Sequence, residues 1–195
     1  MSLALAACGP LVDLGETNAP PPRIYDIAPQ GLDSTSTAGL ARPLVLLIEE
    51  PMTSGILDRE RIAVRFESGE IQYLSGLRLA DRPTRLVRRS LQNHLAAIDG
   101  LTVLGRGALD VPSDYRLKLF LLDFQINAGS GNTEQTRVAL DALLLNDRGE
   151  LVSVERFKIA QDIPAARPAA AVGGLRDGLA AAAEDMRRWL LETLQ

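Results

Sequence analysis

Cysteine, histidine and aromatic residues are nearly missing from this sequence. A single cysteine, Cys8, rules out an intramolecular disulfide. With one histidine, His94, and no second cysteine, a zinc site of the usual nitrogen and sulfur ligands is excluded. Aromatic content of 4% leaves too few rings for a single-strand stacking platform. Basic residues do not dominate either: the net charge is −4 and the pI about 5.1. That balance argues against a broad nucleic-acid surface. No apolar run approaches the roughly 18–20 residues that span a bilayer as a helix. Any membrane association must come from another device.

What is present begins at Cys8. A lone cysteine is ordinarily a small buried hydrophobe, but this one stands at the extreme N-terminus, ahead of Pro20-Pro21-Pro22. The run Leu5-Ala6-Ala7-Cys8 has the form of a lipobox, in which small residues let a signal peptidase bind the backbone extended. Cys8 is therefore the expected lipid-attachment site. The basic and most of the apolar region that precede such a site are absent from residues 1–7. Residues 1–8 thus read as the remnant of a signal peptide, and a chain of this form is expected to stay unacylated.

Residues 9–42 read as a flexible tether, with the proline triplet and a Gly/Ser/Thr-rich stretch from Gly31 to Gly39. Within it, the segment at 23–28 alternates enough to dock as a short edge strand. From Cys8 to Pro43 a flexible coil would reach roughly 30 Å r.m.s..

Residues 43–195 are expected to form one α+β domain, of a size that buries a core without disulfides or metal. Pro43–Ile48 is a continuous apolar run, the pattern of a strand covered on both faces. Ile62, Val64 and Phe66 alternate, Ser68-Gly69 supplies a turn, and Ile71 and Tyr73 complete a hairpin. A helix follows, with Asp81 as its cap, Pro83 in its first turn, a stripe of Val87, Leu91, Leu95 and Ile98, and Gly100 as its stop. Leu101–Leu104 forms a short strand. Next, Tyr115, Leu117, Leu119 and Leu121 alternate until Leu122, Phe124 and Ile126 take the opposite phase. Such a switch means a bulge, or a strand covered on both faces. Residues 128–132 form a loop, and Val138–Leu144, a turn at Asn146–Gly149 and Leu151–Ile159 complete a meander. Residues 165–174 read as a small-residue linker before a long C-terminal helix with its stripe at Leu175, Leu179, Ala182, Ala183, Met186, Leu190 and Leu194. The order is strands, helix, strands, helix: a mostly antiparallel sheet with two helices on one face.

Chemistry is hard to find along this frame. His94 sits beside Leu91 and Leu95, which favours a partly buried helix residue over a catalyst. No Gly-x-Ser-x-Gly accompanies it. Gly129-Ser130-Gly131 lacks the lysine of a phosphate loop and reads as a hairpin tip. Glu49-Glu50 and Glu184-Asp185 fit solvated carboxylates better than an acid/base pair. Arg85, Arg88 and Arg89 form a basic patch on the first helix: a solvated face in the first place, a contact for a partner or for anionic head groups in the second. The expectation is a protein that is not an enzyme and needs no cofactor or metal.

The order of elements and several short motifs resemble the ABC-type transport auxiliary lipoproteins, a family that includes the lipoprotein of the paraquat-inducible operon. The likeness begins with Leu5–Cys8 and Ile24-Tyr25-Asp26-Ile27-Ala28-Pro29. It continues through Leu57-Asp58-Arg59-Glu60-Arg61-Ile62-Ala63-Val64-Arg65, Ile71-Gln72-Tyr73 and Leu77-Arg78-Leu79-Ala80-Asp81. Where the family commonly has tryptophan after that arginine, this chain has Leu79, which keeps a large apolar side chain. The resemblance implies a non-catalytic adaptor in the cell envelope, working with an MCE-domain protein and ABC permease components that move lipids or other hydrophobic compounds. It also implies a homo-oligomer as a plausible state and a membrane attachment through the lipid anchor. Gly9, rather than aspartate, after the cysteine favours the outer membrane over the inner. The competing expectation is a periplasmic lipoprotein that itself binds a lipid or small ligand, which requires an apolar cavity of roughly 300 Å³ or more. A third is an envelope lipoprotein that activates another enzyme.

Overall fold

The computed structural model describes residues 21–28, 39–105, 107, 111–129, 133–165 and 167–195. Cys8, most of the 9–42 segment and the Ser130–Asn132 tip lie outside the described residues.

Tyr115–Ala128, one of three 14-residue strands, forms β7, and the other strands are arranged around it. Leu117, Leu119 and Leu121 point into the core, as do Phe124 and Ile126. Between the two sets the register slips from Leu121 to Asp123, leaving Leu122 as a β-bulge residue that is 42% exposed. The extra residue absorbs the change of phase and keeps both halves of the strand facing inward. β7 pairs antiparallel with β8 (Thr133–Asn146), and β8 with β9 (Leu151–Pro164). The β8–β9 turn is held by Asn146, whose Oδ1 accepts the amides of Arg148 and Glu150, and by Gly149 at φ 79°.

Two strands share the other edge of β7, both parallel to it. β2 (Gly39–Ile48) takes the Tyr115–Leu117 end and β3 (Ala63–Arg65) the Gln125–Asn127 end. Leu46, Leu47 and Ile48 are all buried, so both faces of β2 are covered. The β3–β4 hairpin (β4, Ile71–Tyr73) turns at Gly69, φ 86°. β5 (Leu77–Leu79) pairs in parallel with β1 (Arg23–Tyr25), and β6 (Asp99–Leu104) lies parallel to β2 on its far side. The sheet is thus mixed, although its long ladders are antiparallel. β1 leads directly into Ile27 and Ala28, which are 0% and 3% exposed.

Helix α1 (Pro83–Leu95) and helix α2 (Pro168–Thr193) complete the strands-helix-strands-helix order on one face of the sheet. Three sequence expectations need correction. Arg82, not Asp81, is the cap of α1, because the residue before a proline is held extended and Pro83 opens the helix. The Asp81 carboxylate instead accepts the Arg82 amide at 2.8 Å. Gly100 does not stop α1, which ends at Leu95. The chain tightens through Ala97→His94 and Ile98→Leu95 turns, and Gly100, at φ 78°, steers it into β6.

The third correction concerns residues 165–174, where helix begins at Pro168 rather than after Gly174. Proline suits a first helical position, and the small residues serve close packing. A Cβ on Gly174 would lie 2.7 Å from Thr136 Oγ1 and 2.9 Å from its Cγ2, and one on Gly178 would lie 3.2 Å from Val138 Cγ2. With Ala182 one turn on, these positions form a shallow ridge that lets α2 sit low on β8. Further along, Trp189 meets Phe157 edge-to-face at 5.9 Å and donates its indole N–H to Ser153.

The two adjacent glycines separate packing from helix propensity. Gly173 has nothing within 4 Å of a built Cβ. Gly173→Ala should therefore stabilise the protein by about 0.5–1 kcal/mol. Gly174→Ala should destabilise it, because overpacking costs about 1–3 kcal/mol and would displace Thr136 from its bond to the Gln161 carbonyl. Urea unfolding of the two variants should move the midpoint in opposite directions.

Candidate functional site

The residues that sequence reasoning singled out are distributed over the structure rather than gathered. His94 is 7% exposed, and its Nδ1 donates to the Ser90 carbonyl at 2.9 Å, one turn back on α1. Glu49 pairs with Arg116 at 3.5 Å, and Glu50 with Arg85 at 4.0 Å. Among the described residues, no group of three His, Cys, Asp or Glu side chains is placed to hold a metal ion.

The basic patch on α1 is largely turned to internal use. Arg85 also pairs with Asp81 at 3.4 Å. Arg89 binds Asp26, whose Oδ1 accepts the Ala28 amide as well. That pair ties the helix to the segment just after β1 and holds Ile27 beneath it. Arg88 donates to Gln92 at 3.0 Å, and both side chains lie over Gly105, where a Cβ would collide with Gln92 Nε2.

Two surface grooves stand out. One, of about 610 Å³, runs between β9 and the C-terminal half of α2, over Phe157 and Trp189. Its two arginines are paired: Arg156 binds Asp141 and Arg188 binds Asp185. The other, of about 510 Å³, is formed where the chain leaves the β7 edge after β2 and returns as β3. Four arginines line it, Arg59, Arg61, Arg78 and Arg82, against Asp58 and Glu60. Arg61 and Arg59 lie over the Tyr73 ring, at 5.0 and 5.9 Å from its centroid. The Tyr73 hydroxyl donates to the Ile56 carbonyl at 3.2 Å. Asp58 is engaged by Arg82 at 3.4 Å and by the Thr84 hydroxyl at 2.9 Å.

Sequence reasoning missed this second groove. Arg59 and Arg61 stand in irregular chain before β3, where no strand period reports their direction, while Arg65 is exposed beside buried Val64. Arg78 is likewise exposed between buried Leu77 and Leu79.

The class defined by these features is a small α+β domain with two charged surface grooves. The chain belongs to the family of ABC-type transport auxiliary lipoprotein components, whose profile matches residues 25–187. Membership of that auxiliary family suggests a non-catalytic role in the envelope and an association with transport components. The fold is similar to the crystal structure of a Xanthomonas campestris protein, with TM-score 0.75 and 23% identity over 87% of this chain and 95% of that one. It is also similar to the crystal structure of an uncharacterized protein (TM-score 0.63, 13% identity, 88% and 99% covered). A third likeness is to a hypothetical protein of Chlamydia trachomatis (TM-score 0.50, 8% identity, 79% and 98% covered). At these identities the likeness speaks to the fold alone. No curated protein matches the chain significantly in sequence.

Carboxylates on α2 and β8 are tuned by their partners. Arg187 donates to both Glu184 oxygens, at 2.7 and 2.8 Å, and holds that carboxyl below the usual range even though burial pushes it up. The Arg156 bond lowers Asp141 in the same way. A lowered carboxyl stabilises the fold above its ordinary value of 4.5 and loses that contribution as pH falls through the lowered one. Glu184 is half exposed, so the pair contributes less than about 1 kcal/mol. Glu184→Gln should lower the urea midpoint slightly at pH 7, and the gap from wild type should narrow as pH falls below 4.5 and shrink in high salt.

Proposed function

We propose that this protein is a non-catalytic adaptor of an envelope ABC transport system that moves lipids or other hydrophobic compounds with an MCE-domain partner. The observation that carries the reading is the family match over residues 25–187, which spans nearly all of the folded part. Acylation of Cys8 holds the domain at a membrane, facing the periplasm, and Gly9 favours the outer one. Pairing of β1 begins at Arg23, fifteen residues after Cys8. Even fully extended, that stretch spans at most about 50 Å. The domain therefore works close to its membrane.

Partners in this reading are the MCE-domain protein and the ABC permease components, with a second copy of the chain as a further contact; no nucleic acid or cofactor is involved. The outer edges of Arg85, Arg88 and Arg89 are available to such a partner. An adaptor is favoured over a ligand-binding lipoprotein because both grooves described above are lined mainly by charged side chains, not by the apolar wall a lipid tail needs.

Expressed behind a complete lipoprotein signal peptide, the protein should incorporate labelled palmitate and fractionate with membranes, and Cys8→Ala should abolish both. In mild detergent the acylated protein should co-purify with an MCE-domain protein. Acylation without co-purification would contradict the adaptor while leaving the anchor intact.

A further inference from the structure

The arginine groove between residues 55 and 82 has features that a merely solvated charged face lacks. Its positive groups outnumber its carboxylates two to one, in a protein whose net charge is −4. One carboxylate, Asp58, is already engaged by Arg82 and Thr84. Arg61 and Arg78 have no carboxylate within ion-pair distance among the described residues, whereas both arginines of the β9–α2 groove do. The excess charge is therefore concentrated in one concavity.

Three of the four guanidinium groups are also prearranged, Arg82 by Asp58 and Arg59 and Arg61 by Tyr73. Arg59 and Arg61 are held near the Tyr73 ring by cation–π attraction, which consumes none of their N–H donors. Arg59 is further held by its Nε bond to the Gly55 carbonyl at 3.3 Å. The loop beneath is fixed by the amides of Leu57 and Asp58 donating to the Ser54 carbonyl, and by the Leu79 amide donating to that of Glu60 at 2.8 Å. Planar forks fixed around a cavity match the oxygens of a phosphate group.

Apolar side chains flank the charge. Ile24 is 71% exposed and is the register partner of Arg78 across the parallel β1–β5 pair, so the two point to the same side. Ile56, 43% exposed, stands beside Tyr73. A free phosphate would leave these isoleucines unused, whereas a bilayer surface offers phosphate oxygens and, just below them, acyl chains.

We propose that this groove is a binding site for the phosphate of anionic phospholipid head groups, with Arg61 and Arg78 as its principal donors and Ile24 and Ile56 entering the interface. The site is a property of the folded domain and does not require the transport assignment. Screening at physiological salt limits the field to about 8 Å, so this local excess acts on the lipid while the distant negative charge does not. Where the anchor on Cys8 is present, the groove lies where the chain enters the fold and so turns this face toward the membrane.

The test uses the full chain carrying Cys8→Ala, so that no acyl group contributes, in co-sedimentation with vesicles of phosphatidylcholine alone or mixed equally with phosphatidylglycerol. Binding is expected to the mixed vesicles only, and to fall in 0.5 M NaCl. Arg61→Gln and Arg78→Gln should each weaken it about fivefold, and the double variant ten-fold or more. Arg156→Gln/Arg188→Gln, in the other groove, should bind as the parent does. Each position is exposed, and unchanged circular dichroism and urea midpoints verify the fold; Arg78→Gln alone serves if the double variant unfolds. Equal binding to both vesicle types, or full binding by the Arg61/Arg78 variants, overturns the proposal. Complete displacement by 10 mM inorganic phosphate would assign the groove to a small free anion instead and overturn the lipid source.

Discussion

The strand β7 must serve two partners on one edge, and most of the molecule's shape follows from that. β2 runs along its first half and β3 along its last, in the same direction. The intervening chain follows the edge as far as it can: Met52 exchanges backbone bonds with Leu119 and Leu121, and the Thr53 hydroxyl donates to the Leu121 carbonyl at 2.7 Å. After Thr53 the chain leaves this edge, at the level where Leu122 bulges from the β7–β8 ladder on the opposite one. It makes an excursion over residues 54–62 before re-entering as β3. The arginine groove is the concave side of that excursion, closed by β5.

The two helices cover one face and set what remains for recognition. α2 approaches β8 through Gly174 and Gly178, while Leu179, Met186 and Leu190 complete the core. α1 lies against α2 and is joined to the β1 segment through Arg89 and Asp26. On α2, Arg187 and Arg188 pair with Glu184 and Asp185 of the same helix, and the Asp141–Arg156 pair of β8 and β9 alternates with core residues onto the opposite face. The family membership, the expected anchor at Cys8 and the uncompensated groove next to β1 are consistent with a domain that operates against a membrane surface.

Much of this architecture was legible in the residues because burial imposes a period. The phase switch at Leu122 marked the bulge, the Asn146–Gly149 turn marked the meander, and the stripe from Leu175 to Leu194 marked the last helix. Features set by tertiary contact were less visible. Glycines at 173 and 174 suggest a linker by local propensity, yet one of them is required by the proximity of Thr136. Asp81 has the right chemistry for a cap, but Pro83 fixes Arg82 in that position. The arginine groove depends on β5 returning beside residues 58–61, a pairing that no local pattern encodes. The arginines of α1 stand close together in sequence, but their partners Asp26 and Glu50 lie far away in it.

The most direct measurement is hydrogen–deuterium exchange of the acylated protein reconstituted in phosphatidylglycerol-containing bilayers, compared with the unacylated chain in solution. Added protection confined to residues 54–61 and 76–82, with the β1 strand beside them, is the expected result. Protection centred instead on β9 and the C-terminal half of α2, or none beyond the solution pattern, would contradict the account.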